Sequence, residues 1–411
     1  MPGLTATFAG RSRWSSWAAL IGLALVLRPV FTSNSAVLLR GGAMDAAAPF
    51  LTALPVLAMA SASAFAGGWL LRRGTRAVIL CGCTILVLGT GARIGGEMLF
   101  LIAGSCAAAG AVGALNVALP LLARTLFPSR LALATAVYSA ALCGGAAAGA
   151  TLTAAIVDGG MAGGEAAALW SLPALAAFLV CAASLPKSGR PGLEPPVPSF
   201  RPAWIAGAIF MGSQGALAYC VFGWLTPMLQ LRGIALAEAG GLAGLSMMAQ
   251  IPGCLVATFV GRRTALRTVM PVAAPLVAGS ALVGLQIAPS SLLLPLALVQ
   301  GLAQGSLIAL AMLFIAARPL SDGEMARVSA RVQGCGYVLA AAGPQILGLL
   351  LARQSPLAMP FLLALSFAAA GAALFAQRNL SFGAARPFGA KPLQALRPIG
   401  GGGSGSNDID G

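Results

Sequence analysis

Histidine is absent from this 411-residue chain, only ten residues are acidic, and charged residues of both signs make up 9% of it. Each shortage removes a class of function. Soluble globular domains carry about a quarter of their residues as charges. A chain this poor in charge, 58% hydrophobic and with a mean hydropathy of +0.90, belongs in a bilayer instead. Without histidine there is no His-ligated metal centre. The ten carboxylates (Asp45, Glu97, Asp158, Glu165, Glu194, Glu238, Asp322, Glu324, Asp408 and Asp410) all fall in loops, tails or the ends of apolar runs. That placement argues against an embedded proton relay, a site for cationic compounds and carboxylate-based hydrolysis. Counting alone leaves a Ser–Lys or similar dyad open, but the chain is expected not to be an enzyme and to need no cofactor or metal.

What is present is apolar length. A helical span takes about 20 apolar residues, so twelve spans use roughly 240, in keeping with the hydrophobic fraction. Hydropathy and flanking charge predict spans near 17–39, 49–71, 77–94, 98–122, 131–156, 166–186, 203–227, 237–260, 268–288, 292–317, 326–352 and 357–377. The first is expected to be retained, because its run is long, carries Arg28 at its centre and lacks a small-residue cleavage site. The net charge of +15 follows from topology rather than from nucleic-acid binding, since basic patches interleaved with aromatics are missing. With the N-terminus placed in the cytoplasm, nineteen of the 25 Lys and Arg fall on the cytoplasmic side, four on the opposite side (Arg40, Arg93, Arg232, Arg353), and Arg28 and Arg331 lie within spans. This asymmetry predicts both termini inside an inner (plasma) membrane. All eight cysteines lie in apolar segments, where a thiol acts as a small apolar residue; Cys81 and Cys83 have no partner at metal spacing.

The apolar pattern breaks over 187–202, which holds Lys187, Arg190, Arg201 and five prolines. On either side the chain repeats: Leu39-Arg40-Gly41 returns as Leu231-Arg232-Gly233 at an offset of 192, Arg72-Arg73 as Arg262-Arg263 at 190, and Arg124 and Gly149 as Arg318 and Gly343 at 194. A duplicated six-helix unit accounts for this. The expected organisation is a cytoplasmic N-terminus (1–16), a six-helix bundle (17–186), a cytoplasmic linker (187–202), a second bundle (203–377) and a disordered cytoplasmic tail (378–411).

Arg28 is the sharpest chemical signal. A charge eleven residues into a span is costly and cannot easily reach either surface. On a continuous helix Thr32 and Ser35 share its face, and Pro29 weakens the ladder beside them, so this face presents a cation and two hydroxyls to the interior. The functional reading is an anion site, and the alternative is an arginine satisfied by neighbouring carbonyls or amides. Uncharged polar groups recur in other spans: Asn116, Tyr138, Gln214, Tyr219, Trp224, Gln250, Gln300, Gln304, Gln333 and Tyr337. Together they outline a midplane cavity, although any one of them equally serves helix–helix hydrogen bonding. Arg331 lies about 200° around the helix from Gln333, so it is expected to snorkel rather than face that cavity. Small residues four apart (Gly145 and Gly149, Gly336 and Ala340) predict close packing, and Pro55, Pro120, Pro227, Pro252 and Pro344 predict kinks.

Leu27-Arg28-Pro29 with Thr32-Ser33, Asn116 to Pro120, Phe127-Pro128, Gln214 with Tyr219, Trp224 and Pro227, Gly301 to Gly305 around Gln304, Gln333-Gly334 with Gly336-Tyr337, and Gly343-Pro344 appear in this order. The set resembles the cyanate permease and 2-nitroimidazole transporter family of the major facilitator superfamily, over about residues 17 to 380. Gly68-Trp69-Leu70-Leu71-Arg72-Arg73-Gly74-Thr75-Arg76 also resembles the superfamily's cytoplasmic signature between spans 2 and 3. It lacks the usual Asp of the latch. Val26 replaces the Asn that the family usually has before Leu-Arg-Pro.

The resemblance implies an all-α membrane protein with the major facilitator fold, twelve transmembrane helices in two pseudo-symmetric six-helix bundles, monomeric, working by alternating access. The expected function is transport of a small anion, cyanate-like or a small carboxylate, with export of small neutral heterocycles of the nitroimidazole kind as the alternative. Candidate substrate-binding residues are Arg28, Thr32, Asn116, Tyr138, Gln214, Tyr219, Trp224, Gln304, Gln333 and Tyr337. Candidate gating residues are Gly68, Arg72, Arg73, Gly74 and Arg76. The expected partners are a small-molecule substrate and the lipid bilayer, without nucleic acid.

Overall fold

The computed structural model describes residues 13–40, 43–44, 47–186, 202–260, 264–316 and 322–379. Most of the expected N-terminus, linker and tail lie outside these. The helices are α1 Arg13–Leu25, α2 Pro29–Thr32, α3 Ala48–Arg73, α4 Thr75–Gly91, α5 Met98–Leu126, α6 Leu131–Asp158, α7 Gly163–Ala168 and α8 Ser171–Ser184. After residues 187–201 come α9 Pro202–Leu231, α10 Leu236–Val260, α11 Thr264–Ile287, α12 Leu293–Ala316, α13 Asp322–Ala352 and α14 Ala358–Asn379. Grouped by length and apolar content, these make twelve segments able to cross a membrane, the first running Trp14–Val37 and the last Ala358–Arg378. Twelve is even, so α1 begins and α14 ends on one face, the terminal face. The opposite face is the far face.

The outward surface is apolar. Phe65 on α3, Leu99 on α5, Leu172 on α8, Val269 on α11 and Phe367 on α14 are all exposed. In water such a belt would drive aggregation, whereas lipid tails solvate it. The buried core is rich in alanine and leucine, because between lipid-solvated helices close backbone approach, rather than exclusion of water, holds the bundle.

Two helix pairs join the first six spans to the last six: α3 runs along α13, and α6 along α10. On the far face Thr151 of α6 donates to the Gly240 carbonyl of α10 at 3.3 Å. A Cβ added to Gly244 would sit 3.2 Å from the Ala147 carbonyl, so α10 there lies nearly on the α6 backbone.

The signature between spans 2 and 3 is a helical corner rather than a loop. Gly68, Arg72 and Arg73 continue α3, Thr75 and Arg76 open α4, and Gly74 alone reverses the chain. Its φ of 81° is a region that side chains disfavour, and its N–H closes α3 on the Leu70 carbonyl at 2.9 Å. Arg72 and Arg73 are exposed, and Arg76 donates to the Ala182 carbonyl of α8 at 2.8 Å.

Candidate functional site

Pro29 sets the local geometry of Arg28. Proline offers no backbone N–H, so the Leu25 carbonyl four residues back loses its helical donor. The first span therefore breaks, where the sequence predicted one helix: α1 stops at Leu25, α2 restarts at Pro29, and a 3-10 turn carries Ser33–Val37. The Arg28 carbonyl opens α2 by accepting from Phe31 at 3.0 Å and Thr32 at 3.3 Å. Thr32 still follows Arg28 by one helical turn, its N–H on the Arg28 carbonyl, while Ser35 lies in the 3-10 turn beyond. Ser35 donates to the Thr32 carbonyl at 2.6 Å, and Thr32 donates to the Arg28 carbonyl at 3.5 Å. Local backbone takes both hydroxyl protons.

Helix α6 supplies the seat for this break. A Cβ on Gly149 would lie 2.9 Å from Pro29 Cα and would meet the Thr32 hydroxyl, and one on Gly145 would meet the Leu25 carbonyl. Only glycine permits that approach, and the approach fixes where the guanidinium points.

Arg28 Nη1 donates to Gln250 Oε1 of α10 at 3.4 Å and to Cys143 Sγ of α6 at 3.6 Å. Its Cζ lies 5.4 Å from the centre of the Phe222 ring of α9, within cation–π range. Every one of these partners is neutral. Among the described residues no carboxylate reaches Arg28, and Glu97, Asp158, Glu165 and Glu238 are all exposed. An interior cation without a counter-ion is the electrostatic signature of the site.

Aromatic rings enclose it. Tyr219 packs edge-on against Phe31 at 5.2 Å, Phe222 at 5.7 Å and Tyr337 at 6.3 Å between ring centres. Two donors share one weak acceptor here: Tyr219 donates its O–H to Met59 Sδ at 3.4 Å, and Asn116 its N–H to the same sulfur at 3.9 Å. Tyr337 donates to Gln333 Oε1 at 3.2 Å, and Gln333 Nε2 to Ser329 Oγ at 2.6 Å, a ladder along α13. Arg331 is exposed on the opposite side of that helix.

A second polar group lies between α9 and α12. Gln304 Nε2 donates to the Gln214 carbonyl at 3.5 Å, and Gln214 Nε2 donates to the Met211 carbonyl at 3.2 Å. Both side-chain oxygens, Gln214 Oε1 and Gln304 Oε1, are buried without a partner.

The structure thus gathers Arg28, Asn116, Tyr219, Gln333 and Tyr337, and sets Gln214 and Gln304 together. Two expected walls stand apart. Trp224 donates its indole N–H to the Pro344 carbonyl at 2.9 Å and seats its ring on Gly348, which ties α9 to the proline-bearing part of α13. Tyr138 is buried on α6 about 7.5 Å along the helix axis from Cys143, towards the terminal face. Sequence reasoning missed Phe31, Met59 and Phe222, treated Cys143 as an inert core thiol, and left Gln250 out of the site. It also missed Arg93. Counted as a charge at a span end, Arg93 is 0% exposed, and its guanidinium donates to Ser33 Oγ at 3.0 Å, Asn34 Oδ1 at 3.1 Å and the Ala167 carbonyl at 2.6 Å. The one available signal was the cluster of Thr90, Ser33, Asn34 and Ser105 at neighbouring span ends.

No protein-family model matches the chain. It is 29% identical over 360 residues to the uncharacterized transporter YycB of Bacillus subtilis, covering 84% of this chain and 88% of that protein. It is 28% identical over 358 residues to the 2-nitroimidazole transporter of Escherichia coli (83% and 89%). It is 27% identical over 347 residues to the cyanate transport protein CynX of the same organism (80% and 88%). Two solved structures share the fold. A bacterial homologue of the human lysosomal transporter Spinster, inward-facing and unoccupied, matches with a TM-score of 0.64 and 13% identity over 90% of this chain and 96% of that one. The D-xylose–proton symporter matches with 0.68 and 11% over 92% and 99%. Twelve apolar spans in the major facilitator arrangement, and named transporters as relatives along most of the sequence, make this chain a multi-pass transmembrane transporter with the major facilitator fold.

Proposed function

We propose that this transporter carries a small anion, cyanate-like or a short carboxylate, by alternating access, with Arg28 as its anchor. The carrying observation is that Arg28, interior and positively charged, meets an amide, a thiol and a ring, and no carboxylate among the described residues. Around it Tyr219 donates its O–H to a thioether, and Asn116 Nδ2 reaches the same sulfur at 3.9 Å beside the Tyr337 side chain. An arriving anion replaces these weak contacts with charge-assisted hydrogen bonds, which are roughly twice as strong as neutral ones. Two relatives are named for cyanate and 2-nitroimidazole, and both molecules present acceptor atoms.

In this reading the carrier is a monomer in the inner membrane with both termini cytoplasmic, and the segment 187–202 joins two rocking bundles. The corner at Gly74, with Gly68, Arg72, Arg73 and Arg76 around it, gates the cytoplasmic side. A neutral heterocycle is the second reading, favoured by the orphan oxygens of Gln214 and Gln304, which call for an N–H donor.

The test is thermal stabilisation of the detergent-purified protein by sodium cyanate, acetate, nitrate and 2-nitroimidazole, beside Arg28→Gln. A ligand that binds only the folded state, present at a hundred times its dissociation constant, stabilises by about 2.7 kcal/mol. The expected result is that an anion raises the melting temperature of the wild type and not of the variant. Stabilisation of both proteins by 2-nitroimidazole alone would sink the anion reading and make Arg28 structural.

A further inference from the structure

Resting on the anion reading, we infer that Gln250 is the second ligand of the substrate, a neutral placeholder on Arg28 that turns into a donor when the anion arrives. Arg28 belongs to the first six spans and Gln250 to the last six, so a substrate held by both ties the halves together.

Three observations carry this. Gln250 is 0% exposed, and its Oε1 faces two donors, Arg28 Nη1 at 3.4 Å and the Cys143 thiol at 3.9 Å. Both contacts are long. A charge-assisted N–H···O bond is about 0.5 Å shorter than the Arg28 contact, so the amide holds the guanidinium loosely and yields to a stronger acceptor. Second, Gln250 Nε2 is buried with no hydrogen-bond partner among the described residues. A glutamine present only to satisfy Arg28 or to glue helices would be expected to bond its own N–H groups, since an unmet buried donor is costly. Third, the backbone at Gln250 is clamped. A Cβ on Gly305 of α12 would lie 2.6 Å from Gln250 Cα, and Cys254 one turn on donates to the Gly305 carbonyl at 3.2 Å. The position is therefore set by packing that the substrate does not have to build.

The chemistry that fits is an anion with two acceptor atoms, one taking the Arg28 N–H in place of Oε1 and the other accepting from Nε2. Carboxylates, nitrate and cyanate offer two acceptors, and a halide offers one. No bond is formed or broken in this exchange, and no proton moves. The anchor supplies charge while Gln250 supplies discrimination, because a site built to bond a group leaves its own polar atoms unmet when the group is missing.

The experiment measures binding of acetate, nitrate, cyanate and bromide to the purified full-length protein, as wild type, Gln250→Met, Gln250→Glu and Arg28→Gln. Expected for Gln250→Met is a loss of about tenfold or more for acetate and nitrate, with bromide within about twofold of wild type. Equal affinity for all probes in wild type and Gln250→Met overturns the inference, and so does an equal loss for every probe, which marks a structural role. Gln250→Glu guards against a misfolded methionine variant: its carboxylate takes Arg28 permanently, so the empty protein melts higher and no anion adds to it. Anion stabilisation of Gln250→Glu equal to that of the wild type overturns the placeholder role. The two ideas fail differently. If acetate, nitrate and cyanate leave even the wild type unmoved, the anion reading falls and this inference with it. If they bind the wild type and not Arg28→Gln, but ignore Gln250, this inference alone falls.

Discussion

Each half of the bundle joins the far ends of its first and third spans with an arginine, and the two halves take that arginine from opposite partners. In the first half Arg93 follows α4, the third span, and reaches back to Ser33 and Asn34 of the first. In the second half Arg232 follows α9, that half's first span, and reaches forward to the Leu285 and Ala288 carbonyls at the end of α11, the third. The repeat thus preserves a tie between elements and not the residue that makes it. The reason lies in what each first span must be. The first half's is broken at Arg28–Pro29 and needs pinning beyond the break, whereas α9 runs unbroken for 30 residues and needs only a cap on its neighbour's open carbonyls. Charge sits in the broken helix, and unmet amide oxygens sit in and beside the continuous one. The proposed site therefore has two unlike walls.

Removing the two ties should separate them in magnitude. Arg93→Met strips Ser33 Oγ and the Ala167 carbonyl of this buried donor and leaves Asn34 Oδ1 with Ser105 alone. Several charge-assisted bonds are lost together, so the expected cost is about 3 kcal/mol or more, seen as a large fall in melting temperature of the purified protein. Arg232→Met uncaps the Leu285 and Ala288 carbonyls, but Arg232 itself is only half-buried, so water can take its place and the expected cost is about 1 kcal/mol. Equal losses would break the comparison, because they would mean that the broken first span depends on Arg93 no more than α11 depends on its cap. A further sharpening comes from Arg28→Gln in the same half as Arg93. Its guanidinium is held by long contacts and lacks a counter-ion, so the empty variant is expected to melt at or above the wild type. Two interior arginines sixty-five positions apart would then be distinguished as a structural one and a binding one.

Much of this architecture was legible from apolar run length alone, since a bilayer of fixed thickness converts each run into a span. The predicted spans and the observed ones agree to within several residues at most ends. Pro29 weakens the helical ladder in the first span, yet hydropathy gives one span there, because it does not register a break that leaves the segment apolar. Arg93 was illegible for the opposite reason. Next to Gly95 and Gly96 at a span end it looks like a solvent-facing loop charge, and only the fold brings Ser33, Asn34 and Ala167 around it. Gln250 was visible as a polar residue in a span. Its meaning depends on Arg28, 222 positions away and on the other half, and no periodicity carries that pairing. The corner at Gly74 shows a subtler limit: the motif placed Gly74 between Arg72–Arg73 and Arg76, but the one-residue reversal follows from its backbone angle and not from the motif.

The smallest expected effect concerns the carboxylates. Glu97 opens α5 in the first half and Glu238 lies in the first turn of α10 in the second, both exposed at the far face near a helix N-terminus. There a negative charge interacts weakly with the helix dipole and is screened by salt. Neither residue is near the guanidinium, and both are the carboxylates best placed to overturn a mechanism without a protein-borne proton relay. Replacing both with glutamine should leave the melting temperature unchanged and, in proteoliposomes, leave the pH dependence of anion flux as it is in the wild type. What pH dependence remains then belongs to the substrate's own protonation, which shifts with the pKa of the anion supplied and not with the protein. A loss of pH dependence in the double variant would place a proton pathway at the far face and would make the two halves alike in possessing a working charge.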